Sequence, residues 1–173
     1  SGRVALISGA SRGIGRAIAE RLADQGWRIS AGMRDVDGSW LTAPHLTCPY
    51  DAADAASEEA WVAETIRVFG RIDVVILSAG IMIPGSILET DDADLERMFQ
   101  IHVRSPTRLV RAAWAALAAS GRGRVVLLSS MSGTRVQSAR SRTSAIPKFA
   151  TSGLAAAIRR TAWDRRTPPI PVC

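Results

Sequence analysis

The stretch Val4-Ala5-Leu6-Ile7-Ser8-Gly9-Ala10-Ser11-Arg12-Gly13-Ile14-Gly15 decides the fold, because it joins a buried strand to a helix through a glycine-rich turn. Four consecutive apolar residues, 4–7, predict the strand, and the pattern over 16–23 predicts the helix. Free N–H groups and the dipole at a helix start favour a bound phosphate. The stretch therefore predicts a nucleotide-binding turn; the alternative is a tight strand-to-helix turn without a ligand.

The three glycines of this turn, Gly9, Gly13 and Gly15, follow the spacing Gly-x-x-x-Gly-x-Gly. This spacing differs from the commoner Gly-x-Gly-x-x-Gly of dinucleotide-binding turns. Glycine allows the unusual backbone angles of a tight turn and keeps side chains away from a ligand. The position of the motif, at the start of a chain in which strands and helices alternate, favours the nucleotide.

The composition is typical of one globular domain that occupies residues 1–164, with an irregular proline-containing tail at 165–173. The 173 residues are 47% hydrophobic, with a mean hydropathy of +0.08, which suffices for a core. No apolar run reaches the roughly 20 residues of a membrane-spanning helix. The first strand begins too early for a signal peptide, and two cysteines make no disulfide framework. We expect a cytoplasmic protein that does not bind membranes.

The net charge of +6 is unevenly distributed. Residues 101–173 hold twelve arginines, the single lysine and one acidic residue, whereas residues 1–100 are acidic on balance. A basic half can indicate nucleic-acid binding. These arginines are scattered at helical surface spacing and are not interleaved with aromatic residues, as a stacking platform requires. We expect solvated faces and subunit contacts, and no nucleic-acid partner.

Strands and helices alternate along the rest of the chain. The apolar runs predict a parallel α/β sheet, doubly wound, with helices on both faces. Ser57 is expected to cap its helix, and Trp61, Val62, Ile66 and Phe69 to form its buried stripe. We expect a bend at Pro106 in the longest helix, and only a short helical piece over 34–44. Predicted strands cover 4–7, 27–33, 45–50, 73–77 and 123–129; predicted helices cover 16–23, 57–69, 91–120 and 143–164.

Four features now carry a resemblance to a known family: the glycine turn, Asp51 after the third strand, Ala79-Gly80 after the fourth, and Pro147-Lys148-Phe149-Ala150 in the last helix. In order and spacing they resemble the short-chain dehydrogenase/reductase family over residues 3–164. The resemblance implies a Rossmann-type sheet and an oxidoreductase that transfers a hydride between a nicotinamide and a small alcohol or ketone. Family members usually continue further, so we expect the sheet to lack their last strands.

The choice of cofactor follows from charge at the end of the second strand. Enzymes specific for NAD usually carry an acid there, whereas NADP requires a cation for its 2′-phosphate. Met33 holds this place, with Arg34 next to it and Arg12 in the glycine turn, so NADP is predicted over NAD; the alternative is that both arginines are solvated. The predicted cofactor-binding residues are Gly9, Ser11, Arg12, Gly13, Ile14, Gly15, Arg34, Asp51, Ala79, Gly80 and Lys148. By resemblance, Asp51 accepts a hydrogen bond from the adenine; alternatively it only caps a turn.

The catalytic positions depart from the family pattern. By resemblance, Lys148 matches the family's lysine and Ser130 its serine, with Ser129 and Ser132 as near alternatives. His102 stands where the family has an asparagine; the alternative is a structural histidine. Ser144 stands where the family has a tyrosine, and an aliphatic hydroxyl is a far weaker acid than a phenol. We therefore expect either impaired hydride transfer or a catalytically silent nucleotide-binding or scaffold protein.

The alanine-rich helices 91–120 and 143–164 predict the assembly of the chain. Small residues let helices approach closely, and the family often dimerises or tetramerises through these helices. We expect a homodimer or homotetramer; the alternative is that the alanines pack on the sheet of their own chain.

Overall fold

The computed structural model describes residues 2–36, 40–84, 88–129 and 142–164, the last range with side chains at Pro147 and 150–161. Five parallel strands form one sheet in the order β3-β2-β1-β4-β5. This order is doubly wound, since the chain moves outward from β1 to β3 and then returns to the other side of β1. The strands are β1 (Val4–Ser8), β2 (Arg28–Met33), β3 (Leu46–Pro49), β4 (Val74–Leu77) and β5 (Arg124–Leu127).

Helices cover both faces of the sheet, as the unbroken apolar strands predict. Side chains of β1 alternate between two cores: Leu6 packs with α2 and α4, and Ile7 packs with α1. None of the helices in the described ranges is long and apolar enough to cross a membrane. The helices are α1 (Gly13–Asp24), α2 (Ser57–Phe69), α3 (Asp92–Phe99), α4 (Ser105–Ala119) and α5 (Arg142–Asp164).

The amino end of the sheet is fixed by a buried carboxylate. Asp73 accepts a hydrogen bond from the Val4 amide at 2.8 Å and is held by the Arg71 guanidinium at 2.5 Å and 2.9 Å. The charge of a buried carboxylate is tolerated because it is paired and hydrogen-bonded. This contact aligns the start of β1 with the start of β4, so that both strands end at the same level.

The helical stretch predicted over 91–120 is confirmed over 92–119, but its middle is π-helical. Residues Gln100–Arg104 form a π-helical turn between α3 and α4, and Pro106 follows at the start of α4. Phe99, Gln100, Arg104 and Ser105 all have right-handed helical backbone angles, so Pro106 lies within one continuous helical stretch. The change in helix type therefore precedes the proline, and no break occurs at Pro106.

Two details of α2 and one loop also differ from the sequence prediction. Ser57 is the first helical residue rather than the cap. Ile66 is 40% exposed, whereas Thr65 is buried because its hydroxyl donates to the Trp61 carbonyl and contacts the Ser30 hydroxyl at 2.7 Å. The short helix predicted over 34–44 is absent from 34–36 and 40–44, the parts of it that the structure describes.

Candidate functional site

A crevice with a volume of about 450 Å³ opens at the carboxyl ends of the strands, on both sides of β1. From β1 the sheet continues through β2 on one side and through β4 on the other. Ligands bind at such a switch point in open α/β sheets. Ten predicted cofactor-binding residues line the crevice: Gly9, Ser11, Arg12, Gly13, Ile14, Gly15, Arg34, Asp51, Ala79 and Gly80. The eleventh, Lys148, belongs to α5, and its side chain is outside the described part of the chain.

The glycine turn has geometry that only glycine satisfies. Gly9 and Gly13 have φ values of +69° and +60°, in the left-handed region. A Cβ at Gly9 would lie 2.8 Å from the Ala79 Cα, and one at Gly15 would lie 2.4 Å from the Gly9 carbonyl oxygen. Arg12, which precedes α1, makes no side-chain capping bond. The first amides of α1 therefore face the crevice free to bind an anion.

Ser8, which the sequence analysis did not single out, connects this turn to the neighbouring loop. Its buried hydroxyl accepts hydrogen bonds from the amides of Ser78 and Ala79, each at 3.1 Å, and lies 3.4 Å from the Ile76 carbonyl. The loop after β4 is thereby held against the glycine turn. A polar residue at the end of an otherwise apolar strand was the available signal for this role.

Two guanidinium groups line the adjoining part of the crevice. Arg12 and Arg34 are exposed, and neither forms an ion pair with any residue in the described ranges. Met33, which ends β2 where an acid would select NAD, is buried. The two guanidinium groups suit a phosphate at this point, although the Asp35 carboxylate directly follows Arg34 and Asp51 lines the same crevice.

Asp51 is exposed and lines the crevice, but it also shapes a turn. Its Oδ1 accepts a hydrogen bond from the Ala53 amide at 3.0 Å. The Ser57 hydroxyl bonds to the backbone of Asp51 and Asp54, so Ser57 secures this loop instead of capping α2. The turn-forming alternative is therefore real, and the second carboxylate oxygen remains for a ligand.

His102 lies in the π-helical turn and supports the loop after β4. Its Nε2 lies 2.7 Å from the Ile81 carbonyl oxygen and 3.3 Å from the Ile81 nitrogen. A Cβ at Gly80 would lie 2.9 Å from the His102 Cε1, so Gly80 permits this approach. The imidazole is engaged with the backbone at the place where the sequence analysis expected a catalytic group.

Tyr50, the only tyrosine of the chain, is part of the core. Its hydroxyl lies 2.7 Å from the Ser105 hydroxyl, and its ring centroid lies 5.0 Å from that of Trp61. Burial raises the pKa of Tyr50 to about 12. Tyr50 also borders the crevice, but its hydroxyl is engaged with Ser105 in the core.

The other predicted catalytic residues fall where the structure gives no side chains. Ser130 lies outside the described residues, while Ser144 and Lys148 belong to α5 with their side chains outside them. Ser129, which follows β5, lines the crevice. The mutual geometry of Ser130, Ser144 and Lys148 stays a prediction.

Arg97 and Ile101 also line the crevice, and sequence reasoning missed both. They are four residues apart, so the end of α3 and the π-helical turn present them on one side. The side-chain amide of Gln100, which lies between them, donates to the Ala52 carbonyl at 2.8 Å. This bond fixes the segment against the loop after β3. No local sequence motif predicts that Arg97 and Ile101 line the crevice, because their position depends on how α3 packs against the rest of the chain.

Comparison with known proteins agrees with this architecture. A family model described as short chain dehydrogenase matches residues 3–166. The agropine synthesis reductase of Rhizobium rhizogenes is 36% identical over an alignment of 180 positions that covers 98% of this chain and 41% of the relative. The chain belongs to the short chain dehydrogenase family.

Two solved structures support the same assignment. A short-chain dehydrogenase from Streptomyces avermitilis has a TM-score of 0.90 and 28% identity, covering 99% of this chain and 64% of that one. A blue fluorescent protein from a metagenomic library, solved in complex with NADPH, has a TM-score of 0.81 and 30% identity, covering 95% of this chain and 69% of that one. The chain thus spans less than half of the curated relative and about two thirds of these two structures.

Proposed function

We propose that this chain binds NADP(H) in the crevice and transfers a hydride between the nicotinamide and a small alcohol or ketone. The observation that carries the proposal is the pairing of an open glycine turn with Arg12 and Arg34, next to the buried Met33 instead of an acid. The close packing of the turn supports it, because a side chain at Gly9 would collide with the Ala79 backbone and one at Gly15 with the Gly9 carbonyl, and either would displace the turn that presents its amides. A related protein solved with NADPH supports the class of cofactor.

Within this proposal each part of the crevice has a distinct task. The amides at the start of α1 hold the pyrophosphate, and Arg12 and Arg34 hold the 2′-phosphate. Asp51 accepts a hydrogen bond from the adenine, while the small residues Ala79 and Gly80 let the backbone approach the cofactor. The nicotinamide supplies or accepts the hydride when the cofactor is bound. Lys148 bonds the nicotinamide ribose, and Ser130 bonds the substrate oxygen.

A second candidate function is a catalytically silent nucleotide-binding or scaffold protein. The observation that favours it is the burial of Tyr50 against Ser105, because the only phenol of the chain is then held in a core contact. His102 engages the Ile81 backbone and acts by supporting the loop after β4. In this case the crevice binds the cofactor without turnover.

The two functions are separated by one pair of measurements. NADPH fluorescence is titrated with the protein, and oxidation of NADPH is then followed with a panel of small ketones. Binding with turnover supports the dehydrogenase; binding without turnover supports the silent protein. Turnover restored by Ser144→Tyr would show that the tyrosine alone is missing, and no binding of either NADPH or NADH would refute both.

The NADP preference has its own variant. Arg34→Gln is expected to weaken NADPH binding by about tenfold while NADH binding stays nearly unchanged, because only NADPH carries the 2′-phosphate. Equal weakening of both would contradict the assignment of Arg34.

We also propose the assembly and location of the chain. A groove of about 470 Å³ between α4 and α5 is lined mostly by alanine and other apolar residues, together with Arg111 and two threonines, which supports a homodimer or homotetramer formed through these helices. The cytoplasm is the proposed location, supported by the buried free thiol of Cys48. No nucleic-acid or membrane partner is proposed.

A further inference from the structure

The crevice contains a third arginine that the proposed function does not use. Arg97 lies on α3, is exposed, and lines the same cavity as Arg12 and Arg34. Its guanidinium forms no ion pair with any residue in the described ranges, although its neighbour Glu96 pairs with Arg104. An unpaired cation at the mouth of a binding crevice is available for a ligand.

The position of Arg97 relates it to one half of a dinucleotide. In a doubly wound sheet the residue at the end of β2 recognises the adenosine ribose, so the adenosine half lies on the β2–β3 side of the glycine turn. The loop after β3, with Asp51, Ala52 and Ala53, lines that side. The Gln100 bond to the Ala52 carbonyl ties the end of α3 to this loop.

Arg97 and Ile101 present two different surfaces to this end of the crevice. Ile101 is buried and apolar, whereas Arg97 stands one helical turn earlier and is exposed. A planar purine between them would meet an apolar floor near the sheet and a planar cation at the solvent edge. Guanidinium groups stack on aromatic faces and are weakly hydrated, which makes arginine well suited to such an edge.

On these grounds, and resting on the proposed function, we propose that Arg97 stacks on the adenine ring of the bound cofactor and closes the outer edge of the adenine site. This role differs from that of Arg12 and Arg34, which are directed at phosphate. Arg97 thus sets the affinity for every adenine dinucleotide and leaves the choice between NADP and NAD unchanged.

The test compares Arg97→Gln with wild type by isothermal titration calorimetry. The probes are NADPH, NADH, adenosine 2′,5′-bisphosphate and reduced nicotinamide mononucleotide. Loss of a stacked cation at an exposed site is expected to raise Kd by about two- to fivefold for the three adenine-containing probes. The mononucleotide, which has no adenine, is expected to bind equally to both proteins. Arg21→Gln, an exposed cation of α1 away from the cavity, is the control with the same charge change and is expected to bind like wild type.

Each other result overturns the inference in a recognisable way. A loss of affinity confined to NADPH and the bisphosphate would mean that Arg97 binds the phosphate and not the adenine. An equal loss of affinity in Arg21→Gln would mean that only the net charge of the protein matters. Full affinity in Arg97→Lys shows that charge without a planar group is sufficient. Unchanged binding in Arg97→Gln refutes this inference alone, whereas a wild type that binds no adenine probe refutes the proposed function with it.

Discussion

Gly9 combines a left-handed φ with contact against a second loop. Gly9→Ala is therefore expected to lower the free energy of unfolding by at least about 1–2 kcal/mol from the backbone alone, and to displace the loop that Ser8 holds. NADPH affinity should fall with it. Chemical denaturation and the NADPH titration measure the two effects.

Gly153 provides the matched control for that substitution. It lies within α5, and a Cβ there would meet nothing within 4 Å. Gly153→Ala should raise the free energy of unfolding by about 0.5–1 kcal/mol through helix propensity, with NADPH affinity unchanged. Equal effects at the two positions would contradict the close packing of the glycine turn.

Tyr50 gives the folded state a pH dependence in the alkaline range. Burial raises its pKa to about 12, whereas an unfolded tyrosine has a pKa of about 10. The unfolded chain then loses the phenol proton first, so the stabilising contribution of Tyr50 is fully present below about pH 10 and is lost as the pH rises through about 12. Because Tyr50 is the only tyrosine, its ultraviolet difference spectrum reports the ionisation directly.

The expected result is that the tyrosinate band is absent at pH 10.5 in the native protein and present in urea. In Tyr50→Phe, the free energy of unfolding should fall less between pH 10 and pH 12 than in the wild type, because no phenol ionises. A native titration midpoint near 10 would show that the ring is solvated.

At the level of secondary-structure elements, α2 and α4 are joined by a buried ion pair. Arg108 donates to Glu58 Oε1 at 2.8 Å, and the Glu58 side chain has no exposed surface. Removing one partner of such a pair typically costs about 3–5 kcal/mol, because the other charge is left buried. Arg108→Met is therefore expected to lose about that much stability in urea unfolding. It should also weaken NADPH binding, since Arg108 contacts the Ala52 carbonyl beside the crevice at 3.4 Å.

Arg67→Met is the control on α2, because Arg67 pairs with Glu64 at the surface. Screening by water makes such a pair weak, so a much smaller loss of stability is expected. Comparable losses in the two variants would mean that the Glu58–Arg108 pair is solvated.

The elements also show what the sequence could predict. The end predicted for α2 at Phe69 matches the structure, because an apolar pattern is a local signal, whereas its start differs by one residue, since Ser57 is helical and does not cap the helix. The prediction of the buried side of α2 was partly wrong, because the burial of Thr65 depends on Ser30, a residue of β2. The π-helical turn at Gln100–Arg104 was not predicted for a related reason: the His102 and Gln100 contacts at this turn reach distant loops.

At the scale of the whole molecule, the same division applies to the crevice. The glycine turn and the residues after β2, β3 and β4 were predictable, because parallel strands bring their carboxyl ends to one edge. The place of Arg97 in the crevice was not predictable, because a residue of a helix reaches that edge of the sheet only through tertiary packing. The burial of Tyr50 likewise depends on α4, which supplies Ser105.

The α4–α5 groove is the surface through which copies of the chain are expected to assemble. Ala115 and Ala157 are exposed and line this groove, so a long charged side chain there would enter any contact between copies. Ala115→Arg is expected to shift the protein to monomers in sedimentation velocity. Ala119→Arg, also exposed on α4 but outside the groove, should sediment like wild type. NADPH affinity should be equal in all three proteins, because the groove is lined by none of the crevice residues. A wild type that is monomeric at high concentration, or two variants that dissociate alike, would show that these alanines serve only the packing of their own chain.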